Sequence, residues 1–62
     1  MEVTQKNLEN YKEKVKICLM KNRNCTEKRA LERINLYSDD FPEFLRDNWP
    51  VDAVATGIDF GM

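Results

Sequence analysis

With 62 residues, 34% of them charged, and a formal net charge of −1, the chain has room for one domain, expected over residues 1–62. Its core must be small, because a chain of this size buries only about 60% of the surface its unfolded form exposes. There is no histidine and there are only two glycines, which excludes imidazole acid–base chemistry and a glycine-rich phosphate cradle; no catalytic residue is assigned and a non-enzymatic protein is expected.

The N-terminal stretch "MEVTQKNLENYKEK" has no apolar run of the kind a secretory leader needs. No segment reaches the roughly 20 apolar residues of a membrane span, so a cytoplasmic protein without a membrane partner is expected. A helix is predicted from about Thr4 to Asn22. Leu8, Tyr11, Val15, Cys18 and Leu19 recur at i, i+3, i+4 and i+7 and form its inner stripe. Ile17 and Met20 fall nearly opposite that stripe. A helix apolar on two sides is either central in its bundle or covered by another chain, and so short a chain can hardly surround it. A homodimer, or docking to one protein partner, is the expected consequence.

"KNRNCTEK" interrupts the pattern. Asn24 with Glu27 has the spacing of a capping box, and Thr26 is the alternative cap for a second helix ending near Tyr37 or Ser38. Its expected inner stripe is Ala30, Leu31, Ile34 and Tyr37, with Lys28, Arg29 and Glu32 outward. The two cysteines, Cys18 and Cys25, stand seven apart. On one continuous helix that is about 10 Å, too far for a disulfide, and two thiols without histidine fall short of the four ligands structural zinc takes. No metal and no cofactor are assigned. Both thiols are expected to be buried or half-buried, Cys18 on the inner stripe; Cys25, which would be reactive if exposed beside Lys21, Arg23 and Lys28, is the one to test with a thiol reagent.

Two polar–aromatic–proline steps follow "SDD", Asp40-Phe41-Pro42 and Asn48-Trp49-Pro50. Proline fits the first turn of a helix and pushes its predecessor out of the helical region. Each step is therefore read as a helix start, with Asp40 and Asn48 placed to accept free N–H groups. The first opens a single turn over "PEFLRDN". The second opens a short last helix, "PVDAVATG", whose Val51, Val54, Ala55 and Ile58 keep helical register and whose Gly57 is the expected stop. Phe41, Phe44, Leu45 and Trp49 are expected to fill the space between the helices; the competing reading is an exposed aromatic groove for a partner peptide. In "GIDFGM", Ile58, Phe60 and Met62 alternate like a strand, and a tail folded over the core, or docked on a neighbouring chain, is expected.

The resulting fold class is all-α: two longer antiparallel helices with one or two short C-terminal helices. Charge is divided unevenly along it. Residues 1–35 hold nine Lys or Arg and five acids, a net of +4, and residues 36–62 hold one Arg and six acids, a net of −5. Three accounts follow: the acidic third lies against the basic helices, the basic segment contacts phosphates, or opposite ends attract between molecules. The partner-binding residues assigned are Ile17, Met20, Phe41, Phe44, Trp49 and Phe60. For the less favoured nucleic-acid alternative they are Lys12, Lys16, Lys21, Arg23, Lys28, Arg29 and Arg33. No small-molecule substrate is assigned.

Overall fold

A computed structural model describes residues 2–60. Its elements are α1 (Gln5–Asn22), α2 (Glu27–Leu36), a single 3₁₀ turn (Ser38–Asp40), α3 (Phe41–Arg46) and α4 (Val51–Phe60). The all-α architecture is the expected one. No helix among the described residues is long and apolar enough to cross a membrane.

The threonines make the caps. Thr4 Oγ1 accepts the Asn7 amide at 3.1 Å, and Thr26 Oγ1 accepts the Arg29 amide at 3.2 Å. Thr26, not Asn24, is thus the cap of α2. Asn24 has a different task. At φ 55 it is left-handed, and the chain reverses there so that the Cys25 amide returns to the Leu19 carbonyl at 3.2 Å. Asparagine tolerates this region better than most residues do.

Tyr11, Val15 and Leu19 put the whole inner stripe of α1 into the core, with Leu8 and Cys18 packed at its edges. Helix α2 returns antiparallel and adds Ala30 and Ile34. Leu31 is a correction: it is 43% exposed, because it stands about 100° around the helix from Ala30 and Ala30 is the residue that meets the core. Phe41 and Leu45 come from α3, and Val54, Ala55 and Ile58 from α4. Burying the larger of these, the Val, Leu, Ile and Phe side chains, contributes roughly 1.5–3 kcal/mol each.

Both aromatic–proline steps start helices as read, α3 at Phe41 and α4 at Val51 directly after Pro50, but the capping differs from the expectation. Asp40 makes no side-chain cap, and Phe41 is itself helical at φ −60, ψ −39. The ring is fully buried, and burial outweighs the modest preference of a pre-proline residue for extended backbone. Asn48 is the larger surprise. It is left-handed at φ 60, its amide meets the Leu45 carbonyl at 3.1 Å, and the Trp49 amide meets the Phe44 carbonyl at 2.9 Å. Those two bonds define a Schellman closure. Asn48 therefore ends α3 instead of capping α4, and the Phe44 and Trp49 rings, 5.8 Å apart, supply the apolar contact that accompanies such closures.

Helix α4 runs in the same sense as α1. Near its start the Tyr11 hydroxyl donates to the Trp49 carbonyl at 2.8 Å, and near its end Arg23 Nε donates to Asp59 Oδ2 at 2.8 Å. It does not stop at Gly57, nor do residues 58–60 form a strand-like tail; the helix continues to Phe60. The buried Ile58 and the Arg23 bond to Asp59 both require that last turn. Gly61 and Met62, the end of the predicted tail, lie outside the described residues.

Candidate interaction surfaces

The residues assigned to partner binding do not form one surface. Phe41 is removed from the set: its ring is 0% exposed, packed edge-on to Tyr11 at 6.0 Å and to Phe44 at 5.8 Å, with Lys12 Nζ 5.8 Å from its centroid. Phe44 is half-buried and carries the edge-to-face series outward to Trp49. Trp49 is 47% exposed. Tyr11, Phe41, Phe44 and Trp49 thus lead in sequence from core to solvent, and the hydroxyl of the first closes on the carbonyl of the last.

Trp49 borders a groove of about 340 Å³ between the N-terminal half of α1 and the corner joining α3 to α4. Asn7, Asn10 and Lys14 form one wall, Asn48 to Val51 the other, and Tyr11 and Leu45 lie beneath. Sequence reasoning did not assign Asn7, Asn10, Lys14 or Asn48. A signal existed: residues 7, 10 and 14 share one side of α1 by their i, i+3, i+7 spacing, and that side lacks the acids found at 9 and 13.

Ile17 and Met20 lie on the back of α1, 42% and 38% exposed. Lys14 and Lys21 flank Ile17 at i−3 and i+4 on the same side of the helix. Phe60 is the most exposed of the assigned residues, although the Arg23 guanidinium lies 4.5 Å from its centroid.

The basic residues of the phosphate-binding alternative are partly engaged elsewhere. Lys12 lies against Phe41, Lys16 pairs with Glu13 at 3.3 Å and reaches Glu27 at 4.0 Å, and Arg23 holds Asp59. Lys21, Lys28, Arg29 and Arg33 are spread over the end of α1 and along α2. Among the described residues, Arg23–Asp59 is the ion pair that joins the basic and acidic parts of the chain.

That pair has the clearest electrostatic signature. Asp59 is held below the ordinary aspartate value of 3.8, chiefly by the Arg23 hydrogen bond, with Coulomb attraction to Arg23, a bond from Cys25 and the field of Arg29 adding to it and partial desolvation opposing it. Burial pushes the Tyr11 hydroxyl above its ordinary value of 10.0. Neither thiol is exposed, as expected, but Cys25 is the more buried of the two. Cys25 is buried with Sγ 3.6 Å from Asp59 Oδ1, whereas Cys18 is half-buried and accepts from Asn22 Nδ2 at 3.2 Å. Cys25 follows α1's reversal inward, and that reversal was not foreseen. Both thiols are free, and no cluster of three or more metal-ligating side chains forms among the described residues.

No protein-family model, no curated protein and no solved structure matches this chain.

Proposed function

We propose that the protein is a small non-enzymatic interaction module that associates with a second copy of itself through the back of α1. The observation that carries this reading is the pair Ile17 and Met20, more than a third exposed on the side of α1 opposite Tyr11, Val15 and Leu19. One turn of helix presents both, and pairing like patches about a twofold axis is the commonest way to cover such a face. Two side chains cover far less than the roughly 800 Å² per partner of a stable interface, so the association is weak and concentration-dependent.

Glu13, Lys14 and Lys21 border the patch at i−4, i−3 and i+4 from Ile17, so both signs of charge meet across a twofold contact and the apolar pair carries the association. Sedimentation velocity across a concentration series tests this. Mass is expected to rise with concentration, and Met20→Lys should hold the chain monomeric. A strict monomer at high concentration overturns the reading. Lys12, Lys16 and Arg23 are engaged with Phe41, Glu13 and Asp59, and no observation favours nucleic acid over this.

A further inference from the structure

We propose that the groove beside Trp49 is a second, separate binding site, which takes a short extended peptide segment of a partner protein carrying an apolar side chain next to a carboxylate. The groove walls use neither Ile17 nor Met20; Lys14 borders both surfaces, so binding is measured at a concentration where sedimentation shows each variant to be monomeric.

Three features of the walls define the occupant. Trp49 offers a half-exposed ring beside Pro50 and Val51, a platform for one aliphatic or aromatic side chain. Among the described residues, Lys14 is the only charged side chain lining the groove, in a chain with more acids than bases, so the complementary group is an anion. Asn7, Asn10 and Asn48 present carboxamides, which both donate and accept and therefore suit a peptide main chain, whose N–H and C=O alternate. Of these, Asn7 Nδ2 is already engaged with the Glu2 carbonyl at 3.0 Å, leaving Asn10 and Asn48 on opposing walls. The volume, about 340 Å³, lies at the lower end of the roughly 300–1,000 Å³ of ligand clefts, enough for a side chain and its neighbour.

An exposed ring and a cation are also what a single-stranded nucleic acid needs. The surroundings decide against it. Asp47 and Asp52 bracket the Asn48–Val51 wall in sequence and both are exposed. A polyanion running along that wall brings a charge per nucleotide past them, and among the described residues only Asp47 has a cation beside it, Arg46 at 3.7 Å. A single carboxylate set against Lys14 on the opposite wall brings one charge and has a cation of its own.

Trp49 is the only tryptophan, so its emission reports occupancy of the groove. The probes are three blocked tetrapeptides in which leucine is followed by glutamate, glutamine or lysine, with a thymidine oligonucleotide as a fourth. The glutamate peptide should shift Trp49 emission saturably, about two- to fivefold more tightly than the glutamine peptide, as for an exposed ion pair, and more tightly still than the lysine peptide. Lys14→Ala should erase the glutamate preference, and Lys14→Glu should turn it toward lysine. Lys14 is exposed, and circular dichroism confirms that each variant stays folded. Equal responses to all three peptides, a preference unmoved in Lys14→Glu, stronger binding of the oligonucleotide, or no saturable shift up to about 10 mM would each overturn the proposal.

Discussion

The two aromatic–proline steps share a grammar and have opposite fates. Phe41 is fully buried and Trp49 is about half exposed, although each follows a short polar residue and precedes proline. The difference lies in what the polar residue does. Asp40 remains in the helical region, and the chain passes from the 3₁₀ turn into α3 without a break, carrying Phe41 directly against Tyr11. Asn48 reverses the chain, so the Trp49 backbone is drawn in, its amide to Phe44 and its carbonyl to Tyr11, while the ring is left at the surface. One step builds the core. The other fixes a corner and leaves a ring available.

The comparison breaks most visibly at the rings themselves. Phe41→Ala is expected to cost about 3–5 kcal/mol, comparable to the whole stability of so small a domain at about 0.05–0.15 kcal/mol per residue, so the variant should be largely unfolded by circular dichroism at 25 °C. Trp49→Ala should forfeit only its edge contact with Phe44 and some partial burial, about 1 kcal/mol, and remain folded. Equal costs would mean that the two steps differ less than their burial implies.

Asn48 comes next. Asn48→Val forces a β-branched residue into the left-handed region and should cost about 1–2 kcal/mol, whereas Asn48→Gly should be neutral or slightly stabilising, since glycine enters that region freely. Urea unfolding of the two variants separates them. A capping role for the Asn48 side chain, as read from the sequence, predicts instead that Asn48→Gly destabilises, by a few tenths of a kcal/mol.

Why that role was misread is instructive about what a sequence displays. Asparagine is favoured both at helix starts and at left-handed helix ends, and only the sign of φ, 60 at Asn48, tells them apart. The stripes of α1 and α4 were legible because i, i+3, i+4 periodicity repeats over several turns; Tyr11, Val15 and Leu19 are buried as read. In α2, only ten residues long, one position of rotation decides whether Leu31 joins Ala30 inside, and periodicity over so short a span does not resolve it. The Trp49 groove was invisible for a different reason. Its walls come from residues some 40 positions apart, brought together by a parallel pairing of α4 with α1 that no local pattern encodes.

The smallest effects test how each end of α4 is held, and they separate by pH. Tyr11→Phe removes the hydroxyl that fixes the Trp49 carbonyl, at a cost of about 1 kcal/mol. Tyr11 has a folded pKa above 10.0. Its contribution is therefore complete below the unfolded value and is lost as pH rises through the folded one, so the phenylalanine variant should lack part of the alkaline fall in stability. Asp59 is the mirror image. Its folded pKa lies below 3.8, with the Arg23 hydrogen bond as the main cause, so its contribution is present above the unfolded value and is lost as pH falls through the folded one. The window opens below about pH 4. Asp59→Asn should therefore weaken the protein modestly at neutral pH and flatten its acid fall, leaving the alkaline one intact. Thermal unfolding from pH 2 to pH 11, run in parallel on both variants, should give two curves flattened on opposite sides. If Asp59→Asn flattened neither side, the Arg23–Asp59 pair would contribute nothing measurable, and burial of Ile58 with the Arg23–Phe60 contact would hold the last turn of α4.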